Sequence, residues 1–338
     1  MTHSDMEIPA DHHLALLCCP DCRGDLELQP EAPRLFCPAC NHRYPIVDGI
    51  PVLFPGDVEA TFDQRFQRYW DSQEKANLYN QKVEGDGDPF GIYNHESEIY
   101  GMEQLLDPAR MDRVLDAGCG NGRMLERMPA SCDAVGVDAS LNLLRIVKAK
   151  GRGKFHVCCE LEHLPFKAGQ FDSVFSCRVL QHLKEQETAV QEMARVVRSG
   201  GDIVLELYNT WNPKTIYKNI RMTPWLAKIF NAPFRLIFKS MSPFQPWGID
   251  YDNYNGWFQV KGWMKKAGLS DFSGRGVGFG YHKYLFQPFY IDAVLRNHAL
   301  RGLTRYYNGC FALERAIGHW AIPRWSWEKL VIRGRKDG

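Results

Sequence analysis

The sequence predicts an α/β chain: a doubly wound parallel sheet, preceded by a small cysteine-bearing β domain and extended by α-rich insertions. Three observations carry the prediction. Apolar strand-like runs alternate with helical patterns from Val114 to Asn209. The first run ends in a glycine turn of the form D-x-G-x-G-x-G, Asp116 to Gly122. Two C-P-x-C pairs, Cys19 with Cys22 and Cys37 with Cys40, stand close together near the start.

Composition narrows the function classes. Among 338 residues, 41 are basic and 40 acidic, and the net charge of +1 lacks the field of a dedicated nucleic-acid binder. The opening "MTHSDMEIPADHH" has neither the positive start nor the apolar core of a secretory signal. No stretch reaches the roughly 20 apolar residues of a membrane span. A cytoplasmic protein is expected, and in that compartment its 11 cysteines read as metal ligands or buried thiols rather than disulfides.

The cysteine pairs come first in the chain. In "LLCCPDC" the neighbours Cys18 and Cys19 compete, but only Cys19 shares the C-P-x-C context of Cys37. Two knuckles supply the four sulfurs, Cys19, Cys22, Cys37 and Cys40, that tetrahedral Zn2+ prefers, and four protein ligands make a closed, structural site. Rival readings substitute Cys18 or His42 as a ligand, or take the ribbon as having lost its metal; the apolar "LALL" before Cys18 favours burial for that thiol. In "NHRYPIVDGIPVLFP", two short strands meet at an Asp48-Gly49 turn. This opening segment of roughly 55 residues resembles the small zinc-ribbon activator that partners methyltransferases acting on tRNA, rRNA and release factors.

The glycine turn is next. A dinucleotide fingerprint would need a third glycine where Arg123 stands, so the pattern differs from G-x-G-x-x-G. A helical pattern with Met124, Leu125 and Met128 follows and stops at Pro129. "DAVGVDAS" gives a second strand ending at Asp138, an acid placed to accept from a ribose diol or else to cap the helix starting near Ser140. "KFHVCCELEHLPF" gives a third strand ending at Glu160, which could equally be a solvated loop acid. "FDSVFSCRVLQHL" and "GGDIVLELYN" give the fourth and fifth, with helices at Leu141 to Lys150 and Lys184 to Arg198 between strands. "YNGWFQVKGWMKKAGL" reads as the helix before a sixth strand, and "KLVIRGRK" as the last.

From Val114 to Asn209 the chain resembles class I S-adenosylmethionine-dependent methyltransferases, nearest to the ubiquinone and menaquinone biosynthesis branch. The resemblance implies a Rossmann-like seven-stranded sheet and S-adenosyl-L-methionine as cofactor. It implies that Asp116, Gly118, Gly120 and Gly122 cradle the methionine portion and that Asp138, followed by Ala139, takes the ribose. Glu160 would accept from the adenine amino group, Leu161 would offer its amide to the ring, and Cys177 and His182 would lie near the transferable methyl. The "CC" before Glu160 and the cation Arg178 depart from the family's usual residues.

A sulfonium donor is already activated, so alignment and water exclusion carry most of the chemistry. His182 is the candidate base for an acceptor that must lose a proton. Tyr69 and Trp70 are candidate lid aromatics, with core packing as the alternative. From Leu207 to Ile249 there is no acid, while Lys214, Lys218, Arg221, Lys228, Arg235 and Lys239 alternate with Tyr217, Trp225, Phe230, Phe234 and Phe238. That pattern describes a basic aromatic cap, suited to an anionic membrane surface or a hydrophobic acceptor, and equally to a solvated face. The expected organisation is a ribbon over 1–56, a linker with lid helices over 57–110, and a methyltransferase domain over 111–338 with insertions at about 210–250 and 281–327. The expected acceptor is a small or lipid-linked metabolite of quinone, glycan or polyketide type, at the membrane periphery or free. An rRNA or tRNA base and a non-catalytic cofactor-fold protein are the alternatives.

Overall fold

A computed structural model describes residues 8–29, 32–58, 74, 76, 77, 89–212, 254–279 and 297–338. Tyr69, Trp70, the basic aromatic stretch from Lys214 to Lys239 and the start of the second insertion lie outside the described residues.

The N-terminal part opens with a single helical turn, α1 (Asp11–Leu14), and forms a four-stranded antiparallel meander: β1 (Glu27–Gln29), β2 (Arg34–Phe36), β3 (Arg43–Val47) and β4 (Ile50–Pro51). Tyr44 and Ile46 alternate inward on β3, as a half-buried strand requires. At the β3–β4 hairpin Asp48 and Gly49 have φ of 53° and 72°, the positive pair that a two-residue hairpin loop demands.

The second sheet has seven strands in the order β10-β11-β9-β8-β5-β6-β7. They are β5 (Arg113–Ala117), β6 (Asp133–Asp138), β7 (Phe155–Cys158), β8 (Phe171–Cys177), β9 (Val197–Tyr208), β10 (Leu269–Val277) and β11 (Lys329–Lys336). Chain order reverses at β5, which pairs in parallel with both β6 and β8 and so creates the crevice at its carboxyl end. β11 is antiparallel to both neighbours, making the sheet mixed rather than parallel throughout.

Helices α2 (Pro89–Glu103), α3 (Leu141–Ala149), α4 (Gln186–Val196), α5 (Trp257–Lys266), α6 (Asn297–Ile317) and α7 (Ala321–Ser326) accompany this sheet. α3 buries Leu141, Leu144 and Val147, a helical stripe, and α5 stops at Gly268, whose φ is 82°. One expectation fails: the pattern after the glycine turn forms only a 3-10 turn, Leu125–Arg127. The turn glycines and Pro129 leave too few residues between them for a stable α-helix. β7 also ends at Cys158, two residues before Glu160.

The small sheet docks on the edge of the large one. Leu53 N–H donates to the Cys158 carbonyl (2.8 Å), and Val52 bridges Cys158 in parallel. Beyond the next loop, Cys18 N–H donates to the Pro165 carbonyl and Lys167 N–H to that of Leu16, both at 2.9 Å. Thus β7 does not present an open edge to another chain along its carboxyl half. Leu17, Tyr44, Ile50, Val52 and Leu53 belong to the same buried cluster as Val157 and Phe166, so one apolar core runs through both sheets. His13 stacks on Phe155 (4.8 Å between centroids) and bonds Asp133 (2.9 Å).

Candidate active site and metal centre

Sγ atoms of Cys19, Cys22, Cys37 and Cys40 all lie within 4.8 Å of one another, with Cys19–Cys40 at 3.6 Å and Cys22–Cys37 at 3.4 Å. Tetrahedral zinc with bonds near 2.3 Å sets sulfurs about 3.8 Å apart, so the cluster fits a structural zinc without rearrangement of the fold. The two knuckles are built alike. Arg23 N–H returns to the Cys19 carbonyl (3.0 Å) and Asn41 N–H to that of Cys37 (2.8 Å), and each closing residue has φ of 63°. Cys18 is buried outside the cluster, and His42 bonds Asp21 (2.9 Å) instead of joining the sulfurs. The same Asp21 oxygen accepts from the Tyr44 hydroxyl (3.0 Å), which also contacts Cys19 Sγ (3.2 Å), an outer layer that orients a ligand. Without a cation, burial pushes the Cys40 thiol up to about 12; zinc would deprotonate it.

At the carboxyl end of β5, Gly118 and Cys119 N–H both donate to the Val137 carbonyl (2.8 Å). Gly118 and Gly122 have φ of 83° and 76°, and a Cβ at Gly118 would collide with Val179, while one at Gly122 would come 2.9 Å from Val147. Only glycine satisfies both the backbone angle and the packing. Asp138 accepts from Gly120 N–H and from Ser140 N–H, each at 2.9 Å, and so ties the turn to α3. It does not cap the helix; Ser140 does, through Leu143 N–H (3.3 Å).

The next strand end completes this side. Ala139 O receives the Cys158 thiol (3.6 Å), and the Asp138 carbonyl receives Cys159 N–H (3.1 Å). Glu160 opens a 3-10 turn, Leu161–His163, in which Leu161 is buried. Asp116 is fully buried, and burial pushes its carboxyl up to about 8, with Arg123 pulling down and Asp138 adding to the rise. A glycine turn and acids at three adjacent strand ends fit a nucleoside-bearing donor.

Sequence reasoning missed a charged cluster on the β8–β9–β11 side. Glu98 of α2, wholly buried, is met by Arg123, by Lys329 and, at 3.4 Å, by Arg178. Arg123 also donates to Cys177 Sγ (2.9 Å), and Cys177 contacts Glu206 (3.5 Å). Burial pushes the Lys329 amine well below the usual lysine range, with Glu98 and Asn94 (2.5 Å) facing it. Arg178, the cation that departs from the family pattern, has φ of 58°. His182 is exposed on a 3-10 turn, Leu180–His182, with its Nε2 3.2 Å from the Gln181 amide nitrogen.

The comparisons agree with this architecture. The methyltransferase-domain family matches residues 115–205, and the Trm112p-like protein family matches residues 11–49. A demethylmenaquinone methyltransferase of Renibacterium salmoninarum is 30% identical over 175 residues, covering 50% of this chain and 70% of the relative. A tRNA (carboxymethyluridine(34)-5-O)-methyltransferase of Arabidopsis thaliana is 35% identical over 98 residues, 28% of this chain; the chain spans 24% of that relative's length. In structure, phosphoethanolamine N-methyltransferase 2 of Haemonchus contortus, in complex with S-adenosyl-L-methionine, aligns with a TM-score of 0.50 at 15% identity. That alignment covers 82% of this chain and 60% of the other, a likeness of fold. On the glycine turn, the seven-stranded sheet, the two family matches and the span of the demethylmenaquinone relative, the chain belongs to the S-adenosylmethionine-dependent methyltransferases and carries a Trm112p-like domain at its N-terminal side.

Proposed function

We propose that the protein transfers a methyl group from S-adenosyl-L-methionine to a small or lipid-linked metabolite. S-adenosylmethionine supplies an electrophilic methyl on a sulfonium. Asp138 would hold the ribose hydroxyls, Glu160 and Leu161 the adenine, and Asp116 with the glycine turn the methionine portion, while Cys177 faces the acceptor side. His182, being exposed, would orient or exchange protons with solvent rather than sit beside a dry reaction centre.

The observation that carries the acceptor class is an apolar exposure at one end of the sheet. Trp211, Phe258, Trp320 and Ile322 are 64%, 72%, 55% and 71% exposed. All belong to segments meeting beyond β9: Thr210 N–H donates to the Asn255 carbonyl (3.2 Å), the Arg324 guanidinium lies over Trp257 (5.1 Å), and Asn209 bonds the Arg324 carbonyl (3.3 Å). Large apolar side chains gathered beside the acceptor end suit a lipid-linked substrate and contact with a membrane surface. No described helix is long and apolar enough to cross a membrane. The relative covered over 70% of its length is named for a quinone acceptor, which supports the same class.

Methylation of a tRNA base is the second reading, favoured by the shorter match to the Arabidopsis enzyme. Labelled-methyl transfer into extracts, fractionated into small molecules, lipid, RNA and protein, separates the two: label in the lipid or small-molecule fraction is expected. Label confined to RNA, with salt-sensitive RNA binding, overturns the metabolite reading. Asp138→Ala should weaken S-adenosylhomocysteine binding by about 10- to 100-fold, as loss of charge-assisted hydrogen bonds does, measured by calorimetry.

A further inference from the structure

An exposed His182 leaves open where an acceptor's proton goes, and a second group at the carboxyl end of β9 answers this. Glu206 is fully buried. Its Oε2 receives the Cys177 thiol at 3.5 Å, while its Oε1 meets no donor among the described residues. Gln181 repeats the situation nearby. Its amide nitrogen donates to the Arg178 carbonyl at 2.6 Å, and its buried Oε1 also lacks a donor among the described residues. Arg178 joins the two: its N–H donates to the Glu206 carbonyl (3.2 Å), and its φ of 58° is a left-handed backbone that arginine rarely adopts. Buried acceptor oxygens are costly to leave unmet, and strained backbone gathers at working sites. Both oxygens are open to a hydrogen-bond donor from a ligand.

We propose that Glu206 and Gln181 receive an acceptor whose nucleophilic atom carries a proton, a hydroxyl or an amine, and that Glu206 Oε1 takes that proton during methyl transfer. The inference rests on the methyltransferase reading above. In the step, the X–H bond breaks and its electron pair stays on X, which bonds the methyl carbon. The carbon–sulfur pair stays on sulfur, discharging the sulfonium, and the proton goes to Glu206 Oε1. An ionised carboxylate acceptor, with no proton to give, does not satisfy the two oxygens.

The groups facing Glu206 are Arg123 from the glycine turn, Cys177 and Arg178 from the end of β8, and Tyr208 on its own strand. Beyond them lie Glu98 of α2 and Lys329 of β11. Burial raises the Glu206 carboxyl above the ordinary glutamate range, with Arg178 and Arg123 opposing the rise. The base form therefore accumulates as pH rises, and the transfer rate rises with it.

The test uses the full chain, wild type and Glu206→Gln, with labelled S-adenosylmethionine and the fractionated extract, and S-adenosylhomocysteine binding as control. We expect Glu206→Gln to lose at least about 100-fold in transfer and the rise of rate with pH, while donor-product affinity stays within about twofold. Glu206→Asp, which keeps a carboxylate, should retain part of both the rate and its pH dependence. Difference infrared spectroscopy reads the carboxyl without turnover: a protonated-carboxyl band titrating above the ordinary range should be absent from Glu206→Gln. Asp116, present in both proteins, cancels. Transfer within about threefold of wild type, or transfer and affinity falling together, overturns the proposal. If wild-type protein binds S-adenosylhomocysteine but labels no fraction, the methyl-transfer reading fails and takes the proposal with it.

Discussion

The two flanks of the seven-stranded sheet are held by different physics. At β7 the ribbon grips through backbone: Leu53 to Cys158 before the loop carrying Glu160, and Cys18 and Lys167 to the chain after it. Arg23 adds a bond to the Leu164 carbonyl (2.7 Å) and Asp48 an ion pair with Arg145 (2.7 Å). On the other side, where β9, β11 and β10 pair through their own backbone ladder, the helix α2 is held by side chains. Glu98 gathers three cations, and Glu314 of α6 accepts the Tyr93 and Ser97 hydroxyls of α2 and the Phe279 N–H. A backbone grip uses groups that nearly every residue carries, so it tolerates substitution. A charge cluster depends on each named member, because removing one leaves the others buried without a partner.

The comparison can be broken at four points. The largest effect is expected from Cys19→Ser or chelation, since structural zinc contributes on the order of 10 kcal/mol to folding of such modules. The ribbon should melt, the β7 edge open to aggregation, and S-adenosylhomocysteine affinity fall as the Glu160 loop loses both its anchors. Calorimetry and light scattering measure this, and an unchanged melting temperature would show that the grip does not need the metal. Lys329→Met should cost about 3–5 kcal/mol in chemical denaturation, with much of it regained in Lys329→Met/Glu98→Gln. A single-variant cost under about 1 kcal/mol would mean that apolar packing, not charge, holds this flank.

A pH effect comes third. Burial raises folded Asp116 to about 8 from an ordinary 3.8, so the folded chain keeps a proton that the unfolded chain releases. This contribution is full below the unfolded value and is lost as pH rises towards about 8. Ligand-free thermal melts should therefore decline across that window, and Asp116→Asn should flatten the decline. Smallest is Arg145→Ala: its ion pair with Asp48 is half-exposed, and the loss should stay under about 1 kcal/mol. A larger loss would assign the ribbon's hold to side chains after all.

The same difference explains what could be read from residues alone. Knuckles, hairpin and glycine turn are short motifs whose geometry is dictated by their own backbone, and Cys19, Gly118 and Asp138 stand in the structure at strand ends and turns as their patterns imply. The charge cluster has no such local signature. Lys329 and Glu98 are 231 residues apart, and Glu206 hides in the apolar run "IVLELY", where a period-two pattern gives no hint that its carboxyl faces Cys177. Arg178 was visible only as a residue out of keeping with the family, and its left-handed backbone needed the fold to be seen. The 3-10 turn at Leu125 was misread because Met124, Leu125 and Met128 are spaced like a helix face, while the bounding glycines and proline decide otherwise.

β11 carries a consequence for biosynthesis. It follows every other described strand in chain order, yet it lies between β9 and β10 and brings Lys329 to Glu98. During synthesis, the ribbon flank can close once the chain through Lys167 has left the ribosome. The other flank must keep β9 and β10 apart, with Glu98 short of a cation, until Lys329–Lys336 slots between them. The nascent protein therefore passes through a stage in which the glycine-turn side is assembled and the β9–β10 side gapes, and that interval is when it most needs protection from aggregation.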